Sequence, residues 1–400
     1  MIRYTLVYLF VVTVAGIDGQ PEVDIEAMQK ARRLAPELFM KAPERASEEG
    51  YQLETHYVTT EDGYILGQHR IPGKKGSPPI LLQHGLASMS DSWIFFHRNN
   101  RSIAYYLADL GYDVWMGNCR GNVYSRNHTT QEPSDPKFWL FSWHEVGMYD
   151  LPSTIDYILQ TTGHSKLFYL GHSMGVSASY VLLSMRPEYN DKIRLVISLS
   201  PPVLFNSNSA MLTTTIKNRN IYKVLVDVTN TYEMTPYSER TIALIYFVCR
   251  DGAVTQRMCQ NLVTEVSGKS DGFSSTELPL IVLAMQGGHS AFSAWHFVQL
   301  VKSRRFQQWD FGPEKNMIVY GSHHPPEYDL KKITAPVSIH YGETDHLVSP
   351  ADALHVSEVL PNLVEARRVP SKLFNHNDFI GHKKVRELLY DHLANILKKY

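Results

Sequence analysis

A short apolar run, Lys166 to Leu170, leads directly into Gly171-His172-Ser173-Met174-Gly175. Val176 to Met185 follows as a small-residue-rich helical stretch that stops before Pro187. Strand, sharp turn and helix in that order leave the backbone few choices. A side chain at Gly171 or Gly175 would collide with its neighbours, so glycine at both positions is what lets the turn close. The turn lifts the Ser173 hydroxyl out of the sheet. The five-residue pattern alone is weak, because about one chain in ten of this length would carry it by chance. Its place between a buried strand and a helix is what predicts a nucleophile rather than an ordinary serine in a glycine-rich turn.

The rest of the chain supplies the sheet such a turn needs. Tyr51 to Pro72 predicts a β-hairpin turning at Glu61-Asp62-Gly63, and Pro79 to Gln83 a buried strand. Ile103 to Leu110 reads as a helix closed by Gly111, Tyr112 to Met116 as a strand, Met148 to Gln160 as a helix and Ile193 to Leu199 as a strand. Strands alternating with helices imply an α/β fold, a mostly parallel central sheet flanked by helices. From Pro201 to about Pro326 the rhythm gives way to irregular and helical pattern, including Thr229 to Arg240 and Leu278 to Met285. It resumes at Pro336 to Tyr341, Leu363 to Val369 and a closing helix over Val385 to Lys399. A long insertion between two halves of one sheet is expected to cover the strand ends where Ser173 sits. The expected organisation is a signal peptide over 1–19, an N-terminal segment over 20–50, a core over 51–200 and 327–400, and a largely helical cap or lid over 201–326.

With 400 residues and 44% apolar content the chain can bury a large core, and 20% charge at a net charge of −1 points to no nucleic acid or polyanionic partner. Met-Ile-Arg followed by the apolar Tyr4 to Gly16 has the form of a signal peptide, cut after Gly16 or Gly19. The run falls short of the ~20 residues that a membrane span needs. A secreted, extracellular protein is expected, with the lysosome as the alternative destination. Only three cysteines occur, which excludes a disulfide-dense scaffold. Cys249 and Cys259 enclose a short loop, and either bridge, for a little under ~3 kcal/mol, or remain buried thiols. Cys119 is then unpaired. Asn100-Arg101-Ser102 and Asn127-His128-Thr129 are glycosylation sequons, usable in a glycosylating lumen.

A serine hydroxyl is a poor nucleophile at neutral pH, so Ser173 needs a neutral histidine as base and a carboxylate to orient that histidine. Asp345 lies in the loop beyond the strand Pro336 to Tyr341, where the acid belongs, with Glu343 and Asp352 as rivals. Among 18 histidines, His376 is selected by its loop between the last strand and the last helix, ahead of His382 and His392. The oxyanion of an attacked carbonyl needs two aimed N–H donors. Met174, directly after the nucleophile, supplies one, and Leu86, after the His84-Gly85 turn, the other.

Several stretches are more discriminating than the pentapeptide: Thr59-Thr60-Glu61-Asp62-Gly63-Tyr64-Ile65-Leu66, His84-Gly85-Leu86, Gly117-Asn118-Cys119-Arg120-Gly121-Asn122-Val123-Tyr124-Ser125-Arg126 and Phe141-Ser142-Trp143-His144-Glu145. With the Asn375-His376 and Asp378-Phe379 pairs, they make the chain from Tyr51 onward resemble the animal acid lipases, the gastric and lysosomal enzymes with their insect relatives. That resemblance implies an α/β-hydrolase fold with a cap and lid, and cleavage of carboxylic esters of neutral lipids, triacylglycerols or sterol esters, at a lipid–water interface. It also implies a Cys249–Cys259 disulfide and a sequon at Asn100. Cys119, Asn377, Gly381-His382 and Gln286-Gly287-Gly288-His289-Ser290 depart from the family's pattern, and none of them removes a catalytic group. No cofactor and no metal are expected, and the chain is expected to be a monomer. Two other readings compete: a carboxylesterase for small soluble esters, and a non-catalytic lipid carrier on the same fold.

Overall fold

A computed structural model describes residues 25–96, 101–206 and 232–400. The signal peptide expected over 1–19 and the sequon residue Asn100 lie outside the described residues. The N-terminal segment contributes α1 (Ile25–Leu34) and α2 (Ala42–Glu48). The hairpin follows as β1 (Glu54–Thr59) and β2 (Tyr64–Ile71), antiparallel with Thr59 opposite Ile65.

β3 (Pro79–Gln83), α3 (Ile103–Asp109), β4 (Asp113–Gly117) and the two-residue β5 (Asn127–His128) come next. After them come α4 (Leu151–Thr162), β6 (Leu167–His172), α5 (Met174–Met185) and β7 (Ile193–Leu199). The helix expected over Met148–Gln160 opens with a π turn, Val146–Asp150, ahead of α4. That turn lies where Asp150 accepts from Arg120, through N at 2.8 Å and Nε at 2.7 Å, a local demand that apolar periodicity does not report.

After β7 the chain leaves the sheet. The described part of this excursion contains β8 (Glu233–Met234), α6 (Glu239–Cys249), α7 (Gln256–Ser267) and α8 (Leu278–Leu283). It continues with β9 (His289–Ser290), α9 (Ala291–Ser303) and α10 (Pro313–Tyr320). Thr229 to Arg240 reads as helical in sequence, yet its described residues form β8, paired with β9, and a loop. The helix begins only at Glu239, where the Ser238 hydroxyl accepts the Thr241 amide and caps it. Cys249 and Cys259 form the disulfide that ties α6 to α7. α1 packs on α6 and joins it through an Arg32–Glu239 ion pair, so the N-terminal segment braces the insertion.

The chain returns as β10 (Val337–Tyr341), α11 (Pro350–Val359), β11 (Leu363–Arg368) and the closing α12 (Asp391–Leu397). The sheet runs β1-β2-β4-β3-β6-β7-β10-β11, with β5 on β2, and every pair from β4 to β11 is parallel. Parallel strands need crossovers, whose helices cover both faces of the sheet. Every residue of β3, β4 and β6 is accordingly buried. Alternation divides them: Ile80, Leu82, Val114 and Leu170 join one core with Trp93 and Phe379, whereas Leu81, Trp115 and Tyr169 join the other with Tyr180. Edge strand β11 is only half-buried and carries Glu365, Arg367 and Arg368, charges that discourage pairing with another chain.

Candidate active site

Ser173 stands where β6 becomes α5, at φ 52° and ψ −122°, a backbone conformation that costs a non-glycine residue about 1–3 kcal/mol. Its surroundings leave it no alternative. The Ser173 amide donates to the Leu199 carbonyl at 2.9 Å, and its own carbonyl accepts the Val176 amide at 2.8 Å. A Cβ on Gly171 would stand 2.9 Å from the Gly175 carbonyl carbon, and one on Gly175 would stand 2.4 Å from the Gln83 oxygen. The turn is therefore wedged against the end of β3.

Asp345 is buried in the loop after β10. Its Oδ1 accepts the Leu347 amide at 2.9 Å and the Val348 amide at 3.0 Å, while Oδ2 accepts His376 Nδ1 at 2.9 Å and the Ser200 hydroxyl at 2.6 Å. Burial alone would raise its pKa. The His376 imidazole and these hydrogen bonds outweigh burial and hold the carboxyl below the usual 3.8. An ionised Asp345 keeps a proton on His376 Nδ1 and leaves Nε2 as the basic nitrogen. The rivals are engaged elsewhere. Glu343 pairs with Arg368 at 2.8 Å, and Asp352 caps α11 through Ser349 and accepts the Asn206 amide at 2.7 Å. His382 meets Asp271 at 3.3 Å, and His392 meets Glu365 at 2.7 Å.

His172 connects the turn to the histidine loop. Its Nε2 donates to the His376 carbonyl at 3.0 Å, with the two rings 4.7 Å apart. Burial, reinforced by the neighbouring His376, pushes the His172 pKa down to about 3, so it acts as a neutral spacer. The hydrogen bonds of His376 do not include Ser173. In unliganded sites the nucleophile–base contact is commonly long and tightens when substrate binds.

The loop after β3 runs beside Ser173, since a Cβ on Gly85 would lie 3.1 Å from Ser173 Cβ. Among the described residues neither the Leu86 amide nor the Met174 amide has an acceptor. His84 fixes the loop from below: Nδ1 donates to the Gly85 carbonyl at 2.8 Å, and Nε2 accepts from the Cys119 amide at 3.3 Å and Asn122 Nδ2 at 3.2 Å. Burial pushes His84 down to about 4 and keeps it neutral. Cys119 Sγ lies 3.5 Å from His84 Nε2, and burial raises the thiol pKa, so it remains a packed thiol.

The insertion grips both loops. Ser267, ending α7, accepts the His376 amide on its carbonyl at 3.1 Å and Asn377 Nδ2 on its hydroxyl at 2.9 Å, which gives the unusual Asn377 a partner. Asn375 Nδ2 donates to the Gly268 carbonyl at 2.8 Å, and the Thr344 hydroxyl to the Lys269 carbonyl at 2.6 Å. On the other side the Gly287 amide donates to the Ala87 carbonyl at 2.8 Å. Gly268 has φ 100°, and a Cβ there would fall 1.7 Å from the Thr344 oxygen, next to Asp345. Gly268→Ala is expected to lower kcat about 100-fold with KM nearly unchanged, because the acid and histidine loops are displaced by an ångström or so. Steady-state kinetics on purified variant protein check this, and a wild-type kcat would show that the clamp does not position the loops.

Ser200 is a residue of the candidate site that sequence reasoning missed. It has φ 53°, donates to Asp345 and lies 3.0 Å from His376 Nδ1. The available signal was its place, a serine at the carboxyl end of the strand after the nucleophile's, ahead of Pro201-Pro202.

Comparison with known proteins decides the family. Residues 78–382 match the family described as alpha/beta hydrolase fold, and residues 42–96 match a partial alpha/beta-hydrolase lipase region. Lipase 1 of Drosophila melanogaster is 41% identical over 351 residues, covering 88% of this chain and 78% of its own. The chain belongs to the lipases of the α/β-hydrolase fold. Other lipases are similar over nearly their whole length: gastric triacylglycerol lipase of Homo sapiens is 32% identical over 375 residues, with 91% of this chain and 92% of its own covered. Among solved structures, a bacterial membrane phospholipase A superposes with a TM-score of 0.53 at 14% identity, covering 100% of this chain and 99% of its own. The carboxylesterase CesB of Bacillus subtilis superposes at 0.52 and 13%, covering 94% and 100%. These two likenesses speak for the fold alone. No helix among the described residues is long and apolar enough to cross a membrane.

Proposed function

We propose that this lipase hydrolyses carboxylic esters of neutral lipids, triacylglycerols or sterol esters, through an acyl-enzyme on Ser173. The observation that carries the reading is the buried Asp345–His376 pair, whose loop His172 joins by a hydrogen bond to the strained turn at Ser173. Ser173 Oγ attacks the ester carbonyl carbon as His376 Nε2 takes its proton. The oxyanion lies on the Leu86 and Met174 amides, and its collapse expels the alcohol, which takes the proton back from His376. Water then attacks the acyl-enzyme, again losing its proton to His376, and the carboxylic acid leaves with Ser173 restored. Asp345 stays ionised throughout and holds the imidazole.

Bulky lipid suits the insertion over 201–326, which acts as cap and lid. A cleft beside the histidine loop is lined by Val263, Phe273, Leu278 and Ile281 on the insertion and by Asn375 and Asn377 on the loop. The rest of its lining is polar, with Gln256, Gln260, Thr264 and Ser270 among it, so the apolar residues offer an acyl chain one wall of a mixed cleft. The Cys249–Cys259 bridge and the exposed Asn127 support a secreted or lysosomal protein with a glycan on Asn127. Comparing emulsified triolein with dissolved short-chain esters tests the substrate class. The lipid reading expects the greater rate on the emulsion, and a preference for dissolved esters would replace it with the carboxylesterase. Failure of Ser173 to react with a fluorophosphonate probe would favour the lipid carrier.

A further inference from the structure

We propose that His340, Glu365 and His392 form a site for a divalent transition metal of the zinc class at the edge of the sheet, separate from the hydrolytic residues. The three side chains come from β10, β11 and α12, so no sequence spacing announces them. In the β10–β11 register Ser338 lies opposite Glu365 and His340 opposite Arg367, which places all four on one face of the sheet. α12 adds His392 to that group. Glu365 Oε1 stands 2.7 Å from His392 Nε2 and 3.7 Å from His340 Nε2, and the three ligand atoms all lie within 4.8 Å of one another. Around a tetrahedral ion with bonds of 2.0–2.1 Å, ligand atoms are about 3.3 Å apart, a separation that the two measured distances bracket.

The Ser338 hydroxyl sits between two of the three ligands, 3.3 Å from Glu365 Oε1. His340 is wholly inside the protein, and although the Ser338 hydroxyl lies 2.8 Å from its Nε2, its Nδ1 has no partner. An ion on Nε2, the His340 atom nearest Glu365, would take the place of the Ser338 hydroxyl and give both imidazoles and the carboxylate one shared partner, leaving Nδ1 as it is. Two imidazoles and one carboxylate are the ligand types zinc prefers, with a fourth position left for water. Glu365 and His392 are half-exposed, which gives the ion a way in from solvent. Arg367, opposite His340 in the register, brings a positive charge that opposes a dication and weakens its binding.

The site also has a mechanical consequence. The His340 carbonyl accepts the Ser200 amide at 2.8 Å, and β10 runs on into the Asp345 loop, so an ion at His340 braces the strand that carries the acid.

The test uses untagged, chelator-treated full-length protein titrated with zinc alone against a chromophoric competitor, with Tm followed in parallel. Glu365→Gln and His392→Ala change half-exposed positions and leave buried His340 in place. Wild type is expected to bind one zinc in the micromolar range, with a Tm rise of a few degrees at saturation. Each variant should bind at least tenfold more weakly and lose the Tm rise, whereas Arg367→Met should bind more tightly. Absence of binding at about 100 μM zinc, or wild-type affinity in both variants, overturns the proposal and leaves a hydrogen-bonded cluster. Zinc held by other histidines would give that second outcome.

Discussion

Ser173→Ala is expected to lower the hydrolysis of emulsified triacylglycerol by about 10⁶-fold, with a Tm within a few degrees of wild type. Losses of that size arise because base, acid and nucleophile act as a unit, so that removing the nucleophile leaves only what binding and the oxyanion amides contribute. Stability should barely move. The strained φ of 52° is imposed by the Leu199 and Val176 backbone bonds, which alanine keeps, and Ala is no worse than Ser in that conformation. Rate on triolein and Tm of the purified variant are the two measurements. A variant retaining more than about one part in a thousand of the activity would move the nucleophile elsewhere.

Asp345→Asn should cost about 10⁴-fold in kcat with little change in KM. An Asn amide facing His376 Nδ1 presents either a donor or a weaker acceptor, and rotation of that amide lets the imidazole carry its proton on Nε2. A histidine in that tautomer cannot take the serine proton. The Ser200 hydroxyl, 2.6 Å from Oδ2 in wild type, would have to turn toward the new group or lose its acceptor. Because the wild-type carboxyl is held below 3.8, it remains ionised at any pH above about 5, and the deficit should persist across that range. Kinetics of the variant from pH 5 to 8 check this. A deficit under tenfold would pass the orienting role to another acceptor.

Both predictions rest on residues that were legible in the chain. Ser173, Asp345 and His376 each follow a strand, and the glycines at 171 and 175 mark a turn that only one local geometry satisfies. The Leu86 and Met174 amides, proposed as the oxyanion donors, are placed in the same way, each by the strand or turn before it. The strands β3 and β7 were readable to the residue, because a strand buried on both faces is a continuous apolar run. β8 was not: two residues paired with a distant partner leave no periodic trace.

What the sequence by itself determined was the order of strands and helices, the sharp turn at Ser173, and the candidate acid and histidine in loops beyond their strands. These are local properties, written in apolar periodicity, glycine placement and loop position. Only the tertiary structure decided that Ser200 joins Asp345 and His376, that Ser267 and Gly268 on the insertion hold the loops of both, and that His84 anchors the loop after β3 through Cys119 and Asn122. It alone placed His340, Glu365 and His392 together. Such contacts depend on the register of parallel strands and on crossovers that bring distant segments side by side, and no local pattern encodes which partner arrives.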